Sequence, residues 1–284
     1  MVDQETQRPR AFVIGDPISH SRSPLIHRYW LQTAGISGAY DPVHIPESDL
    51  ESFVSGIKDG TLGYTGGNVT LPHKQSIAEL VDVIDETATQ IGAVNTVWLE
   101  DGQLSATNTD SHGFSANLDD LATGWDRGKA AVVFGAGGAS RAILHALKAR
   151  EFTSIRVVNR TLARAKELAD RFGDDVSAHT MDELNDVTDG ANLFVNTTSL
   201  GMGGTPVPDI GFSKMADGAL VTDIVYVPLV TPIMAMAASQ GLATVDGLGM
   251  LLHQAVPGFE KWFGRTPVVT KSLRDLVIAD IEAH

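Results

Sequence analysis

Apolar residues along this chain fall in short blocks. Their spacing switches repeatedly between runs of strand type and the three-to-four-residue recurrence of an amphipathic helix. The first part predicts strands over 11–15, 40–45, 66–70, 96–100 and 104–108. Helices are expected over 24–34, 48–57, 74–83, 86–92 and about 111–121. Asp16-Pro17 turns the chain, Pro72 stops the third strand, and Asp101-Gly102 joins the last two as a hairpin. Thr123-Gly124-Trp125 reads as a boundary. Beyond it, strands over 130–134, 155–158, 193–196, 220–225 and 244–245 alternate with helices over 138–149, 161–172 and 231–240. Helices over 248–263 and 271–282 close the chain. Such alternation is the signature of the α/β class. No repeat and no low-complexity tract interrupts it.

Composition narrows the function. A chain of 284 residues, 43% apolar, has room for about two domains with real cores. The net charge of −14 argues against nucleic acid and against an anionic membrane surface as partners. A small anionic substrate stays open, because local groups set the field inside a cleft. There is no cysteine, hence no disulfide, thiol nucleophile or zinc–thiolate site. Nine histidines show no His-x-x-x-His pair, so no metal is expected. Residues 1–10 are polar and lack a signal core, and the apolar run 218–238 is broken by Asp223, Pro228 and Pro232. A soluble, cytoplasmic protein is the expectation.

The most informative stretch is Val132-Val133-Phe134-Gly135-Ala136-Gly137-Gly138-Ala139-Ser140, followed at once by helical spacing through Ala142, Ile143, Leu144 and Leu147. A strand, a glycine turn and a helix N-terminus in that order can hold a dinucleotide pyrophosphate on backbone N–H groups. Gly135 would make the turn, and Gly137 would let the phosphates come close. Ser140, in the third small position, departs from the usual Gly or Ala, and a plain glycine-rich turn is the alternative. About twenty residues on, an NAD site carries a carboxylate for the ribose. Here Asn159-Arg160-Thr161 stands instead, with Arg164 one turn later. Arg160 can pair with a 2′-phosphate through its planar fork, which favours NADP. The alternative is that both arginines are solvated surface charges.

Four clusters in the first half suit a small polar substrate. Ser21 and Ser23 flank Arg22; in an extended segment they would share a face and could hold a carboxylate. Ser23 before Pro24 is equally a helix N-cap. Asn68-Val69-Thr70-Leu71-Pro72-His73-Lys74 ends a strand with Lys74 just past it. Asn95-Thr96 starts a strand, and Asn108-Thr109-Asp110 ends the hairpin, where Asp110 could also be a cap.

Taken together, these segments resemble the shikimate dehydrogenase family over nearly the whole chain. The matching motifs are His20-Ser21-Arg22-Ser23-Pro24, the segments from Asn68 to Lys74 and from Gly92 to Thr96, Asn108-Thr109-Asp110, the glycine turn with Ser140, Asn159-Arg160-Thr161, and Asp246-Gly247-Leu248-Gly249-Met250. The resemblance implies reversible reduction of 3-dehydroshikimate to shikimate by NADPH, on the route to chorismate and the aromatic amino acids. It implies a three-layer α/β substrate domain over 1–112, completed by the helices of about 250–284. A Rossmann-type NADP domain over 113–249 would follow, with the active site in the interdomain cleft. Lys74 and Asp110 carry over as the catalytic pair. Ser21, Ser23, Thr70, Lys74, Asn95, Asp110, Tyr226 and Gln254 carry over as substrate ligands. Gly135, Ala136, Gly137, Gly138, Ala139, Ser140, Asn159, Arg160, Thr161, Arg164, Thr197, Thr198, Ser199, Ile224 and Gly247 carry over to the cofactor. Chemistry explains the pair: an alkoxide forming at a reduced carbonyl needs a proton or a positive charge. Lys74 is taken as acid/base and Asp110 as its orienting partner. A monomer and a homodimer are both compatible with the resemblance. The rivals are a quinate/shikimate dehydrogenase using NAD, a folate-linked dehydrogenase, and a non-catalytic ligand-binding protein on the same scaffold. Asn159-Arg160, the Ser-x-Ser pair and intact Lys74 and Asp110, respectively, speak against them.

Overall fold

Two six-stranded sheets organise residues 8–283, the part of the chain that the computed structural model describes. Residues 1–7, most of the polar stretch read as lacking a signal core, lie outside the described residues, as does His284. The chain divides into two units, Met1–Thr109 with Gln254–His284, and Asp110–His253.

The first unit opens with β1 (Arg10–Gly15), α1 (Ser23–Ala34), β2 (Ala39–His44), α2 (Leu50–Lys58) and β3 (Gly66–Val69). It continues with β4 (Val83–Ile84), α3 (Glu86–Ile91) and the hairpin of β5 (Thr96–Glu100) and β6 (Gln103–Thr107). The strand order is β2-β1-β3-β5-β6-β4. β1 lies parallel to β2 and β3, whereas β5 runs antiparallel to β3 and β6. Central β1 is buried on both faces, which explains its continuous apolar run in place of alternation. Phe12 and Ile14 pack with Leu50, Phe53 and Ile57 of α2 and with Val97 of β5. Each such side chain contributes roughly 1.5–3 kcal/mol by leaving water.

The second unit runs α4 (Asp110–Leu121), β7 (Ala130–Phe134), α5 (Gly138–Ala149), β8 (Ser154–Val158), α6 (Leu162–Phe172), β9 (Val176–His179), β10 (Leu193–Asn196), β11 (Leu220–Asp223), α7 (Pro232–Ser239) and β12 (Ala243–Val245). Its sheet, β12-β11-β10-β7-β8-β9, is parallel throughout. Alternate residues of β7 serve opposite faces. Ala131 and Val133 join a core with Phe114, Ile143 and Leu147, while Val132 and Phe134 join one with Phe212 and Ile233. This is the doubly wound α/β arrangement. Strand order reverses at β7, so the crevice beyond the carboxyl ends of β7 and β10 is the place where such sheets bind ligands.

Two helices end the chain, α8 (Leu248–Phe263) and α9 (Lys271–Ala283). In the first unit, Phe259 and Trp262 of α8 stack around His27 of α1, and Trp262 Nε1 donates to Val97 O at 2.9 Å. Trp30 Nε1 of α1 donates to Val268 O at 3.1 Å, tying the approach to α9 to the same helix.

Three local expectations are corrected. No helix spans 74–83: the chain makes turns and a 3₁₀ segment at Ser76–Glu79, and Val83–Ile84 is a strand paired with Ser105 and Ala106. Ile77, Leu80 and Val81 pack on the core from this turn as they would from a helix, so their spacing misled. β9 was not expected, because of its four residues only Val176 is both apolar and fully buried. The stretch around Ser21 is not extended. Arg22 is in the αR region at the N-cap position with Ser23 as the first helical residue, so Ser23 is not the cap.

Candidate active site

Within the first unit, Asn95 and Gln254 share a buried network of hydrogen bonds, and the two candidate serines are joined to each other. Ser21 Oγ accepts from Ser23 N at 3.3 Å, which keeps the two serines together although the backbone between them is helical. Arg22 points elsewhere: its Nε donates to Asp280 Oδ2 of α9 at 3.0 Å. The buried Tyr40 phenol donates to Asn68 Oδ1 at 2.6 Å. Burial raises the Tyr40 pKa well above its usual value, so the phenol keeps its proton. Asn68 Nδ2 donates to Asn95 O and to Thr96 Oγ1, both at 3.2 Å.

Asn95 is the hub. Its Oδ1 accepts from Thr96 Oγ1 at 2.9 Å, Thr109 N at 2.9 Å and Thr109 Oγ1 at 3.2 Å. Three donors on one oxygen fix which way the amide faces. Thr109 Oγ1 also lies 3.4 Å from Gln254 Oε1, bringing α8 into the network. Lys74 sits in the turn past Pro72, half-buried, and its carbonyl accepts from Val94 N at 2.7 Å, one residue from Asn95. Thr70 N donates to Ile14 O at 2.9 Å, holding the end of β3 against β1. Ser21, Ser23, Thr70, Lys74, Asn95 and Gln254 therefore belong to one unit, whereas Asp110, the residue after Thr109, opens α4 of the other. Tyr226 also belongs to the second unit. The site list drawn from sequence missed Tyr40, Thr96 and Thr109 and left out Asn68, although the Asn-x-Thr spacing of 68–70 was in view.

His27 was missed as well. It is 0% exposed, stacked on Tyr40 at a ring separation of 4.1 Å, and neither ring nitrogen has a hydrogen-bond partner among the described residues. Burial pushes its pKa down to about 3, so it is neutral at any physiological pH.

In the second unit the glycine turn is built as the sequence suggested, and the serine in its third small position is explained. Gly135 has φ of +118°, a conformation closed to ordinary side chains, and a Cβ there would sit 2.6 Å from Thr197 Oγ1. Ser140 is fully buried. Its hydroxyl donates to Gly135 O at 2.9 Å, accepts from Gly137 N at 3.0 Å and meets Thr197 Oγ1 at 2.7 Å. Gly or Ala could make none of these bonds. A Cβ on Gly137 or Gly138 would meet nothing within 4 Å, so the outer face of the turn has room for a pyrophosphate at the N-terminus of α5.

Asn159, at the end of β8, donates through Nδ2 to Thr161 O at 2.9 Å and accepts from Ala136 N at 3.2 Å, joining the turn to the next strand. Arg160 and Arg164 are exposed beside it. Thr161 stands at the N-cap of α6, but its hydroxyl makes no cap bond. Gly247 lies against backbone: a Cβ would come 2.5 Å from Ile224 O and 2.6 Å from Asp223 O. Thr197 Oγ1 is held by Phe134 O at 2.9 Å as well as by Ser140, while Ser199 is exposed. The residues present thus fit a dinucleotide with a 2′-phosphate. Among the described residues, no cluster of three or more His, Cys, Asp or Glu could hold a metal, and no helix is long and apolar enough to cross a membrane.

Comparison with known proteins agrees with this geometry. Residues 13–97 match the model of the shikimate dehydrogenase substrate binding domain, residues 120–202 that of shikimate / quinate 5-dehydrogenase, and residues 247–269 that of the shikimate 5′-dehydrogenase C-terminal domain. The shikimate dehydrogenase (NADP(+)) of Rhizobium etli (strain CIAT 652) is 57% identical over 281 residues, covering 99% of each chain. The shikimate 5-dehydrogenase of Thermus thermophilus, solved in complex with NADP(H) and shikimate, superposes with a TM-score of 0.83 at 31% identity over 96% of this chain and 99% of that one. The quinate dehydrogenase of Corynebacterium glutamicum in complex with NAD gives 0.85 at 30% identity, over 95% and 99%. The chain belongs to the shikimate dehydrogenase family.

Proposed function

We propose that this protein is an NADP-dependent shikimate dehydrogenase, reducing 3-dehydroshikimate reversibly to shikimate in the shikimate pathway. One observation carries the reading: in the substrate unit a buried hydrogen-bond network fixes Asn95 and Gln254 relative to one another, and Ser21 and Ser23 are held together by a hydrogen bond of their own. Those are the groups that a polyhydroxylated carboxylic acid needs. Ser21 and Ser23 take the carboxylate. Thr70, Asn95 and Gln254 take ring hydroxyls, with Asp110 and Tyr226 contributing from the second unit.

Bound NADPH supplies the hydride. Lys74 gives the proton to the oxygen that becomes the hydroxyl, and its ammonium offsets the charge developing there. Asp110 orients that ammonium and binds the neighbouring hydroxyl. The outer face of the turn from Gly135 to Ser140 takes the pyrophosphate at the N-terminus of α5, where the amides of Gly138, Ala139 and Ser140 open the helix. Arg160, with Asn159, Thr161 and Arg164, takes the 2′-phosphate, and Thr197, Thr198, Ser199, Ile224 and Gly247 take the nicotinamide side. The enzyme works in the cytoplasm, as a monomer or a homodimer.

The test is absorbance at the reduced-nicotinamide band with shikimate or quinate crossed against NADP or NAD. Turnover concentrated in the shikimate–NADP arm is expected. A preference for NAD, or for quinate, overturns the assignment.

A further inference from the structure

The carboxyl ends of β10 and β11 carry a buried polar pair that no step so far has used. Asn196 and Asp223 are register partners on these parallel strands, and both are 0% exposed. Asn196 Nδ2 donates to Asp223 Oδ1 at 2.9 Å. Each then fastens the loop leaving its strand. Asn196 Oδ1 accepts from Thr198 N at 3.0 Å and Thr198 Oγ1 at 2.7 Å, while Thr198 Oγ1 accepts from Leu200 N at 3.1 Å. Asp223 Oδ1 accepts from Val225 N at 2.9 Å. Asp223 Oδ2 accepts at 2.7 Å from Thr231 Oγ1, which caps α7. Ile224 N donates to Asn196 O at 3.1 Å. The pair therefore locks residues 197–200 and 224–225 to each other at the switch point of the sheet.

The hydrogen bonds alone do not require an acid. An asparagine at 223 would accept from Asn196 and Val225 through its oxygen and donate to Thr231 Oγ1 through its amide. A buried charge costs free energy that this arrangement could have avoided. All three of its partners donate, as they would to an ionised carboxylate. Oxidised nicotinamide is positively charged and the reduced ring is neutral. We propose that Asn196 and Asp223 are positioning residues for the nicotinamide side of the cofactor, and that the Asp223 carboxylate biases binding toward NADP+ over NADPH. This rests on the reading that residues 197–199, 224 and 226 face the nicotinamide.

The test is direct binding, by calorimetry for NADP+ and 2′,5′-ADP and by fluorescence for NADPH, to the wild type, Asp223→Asn and Thr231→Val. Asp223→Asn should weaken NADP+ about tenfold or more, since at an effective dielectric of about 20 one charge is worth about tenfold at roughly 12 Å and more when nearer. NADPH and 2′,5′-ADP should stay within about twofold on the same argument. Thr231→Val deletes one donor without removing the acid, so it should shift the NADP+/NADPH ratio less than Asp223→Asn does; should Asp223→Asn not fold, the same two affinities measured on Asp223→Ser decide the charge role. Equal weakening of both cofactor forms by Asp223→Asn, or none, refutes it. Failure of the wild type to bind 2′,5′-ADP at all would remove the cofactor reading beneath it.

Discussion

Protonation of His27 should cost the protein about 2 kcal/mol of stability between pH 7.5 and pH 5. In the folded chain the imidazole titrates at about 3, held down by full burial. In the unfolded chain it titrates near 6.5. The folded pKa is depressed, so the unfolded state binds the proton more readily and stability falls as pH drops below 6.5. At pH 5 the unfolded imidazole is almost wholly protonated and the folded one is not. The gap of about 1.5 pH units below the unfolded value corresponds to about 2 kcal/mol. At pH 7.5 both forms are neutral and the contribution vanishes. Other groups titrate in the same range, so the prediction is a difference between two proteins. In His27→Phe the new ring can stack on Tyr40 and Phe259 as the imidazole does. Any packing cost from its extra volume, roughly 1–3 kcal/mol at most, is the same at every pH. Urea unfolding of both proteins at pH 7.5, 6.5 and 5 gives the two profiles. The wild type should lose about 2 kcal/mol more than the variant across that range. Parallel profiles would show that His27 takes up its proton in the native state as readily as in the unfolded chain, and would refute the reasoning.

Three further outcomes follow from the site. Lys74→Ala should lower kcat by about two to four orders of magnitude with a smaller change in KM for shikimate; steady-state kinetics showing near-normal kcat and only a raised KM would end its role as the acid. Arg160→Ala should weaken NADP binding by about tenfold to a hundredfold, the worth of a charge-assisted bond to phosphate, and leave NAD binding alone; calorimetry with both cofactors decides it. Ser140→Ala deletes the hydroxyl that joins Gly135 O, Gly137 N and Thr197 Oγ1. It should destabilise the fold by about 1–3 kcal/mol and weaken NADP, since a buried partner is left unpaired; a variant matching the wild type in urea unfolding and cofactor affinity would refute that role.

What the sequence revealed followed from local chemistry. The strand into Gly135, the positive-φ requirement there and the helix beginning at Gly138 are encoded within ten residues, and the structure keeps that order. The same holds for the Asp101-Gly102 hairpin, where both residues have positive φ. What stayed hidden depends on long-range pairing. Val83–Ile84 becomes a strand because Ser105 and Ala106 lie alongside, about twenty residues later, and nothing local distinguishes it from the end of a helix. Tyr40 meets Asn68 because β1 separates their strands in register, with Ala11 opposite Tyr40 and Val13 opposite Asn68. Ser140 was visible as an exception to a pattern, but its use required Thr197, fifty-seven positions away. Arg22 looked like a residue turned from the serines, and its partner Asp280 comes 258 positions later.

That last pairing bears on how the chain is made. The nucleotide unit is one continuous stretch, 110–253, so every residue it packs internally is present once residue 253 has emerged. The substrate unit is split: the part up to residue 109 emerges before the other unit, and the helix that grips Arg22 emerges after it. Until α8 has been made, Trp30 and His27 lack the rings of Phe259 and Trp262 that pack against them. The nascent half-built unit thus leaves an aromatic surface uncovered for the whole time its neighbour is being synthesised.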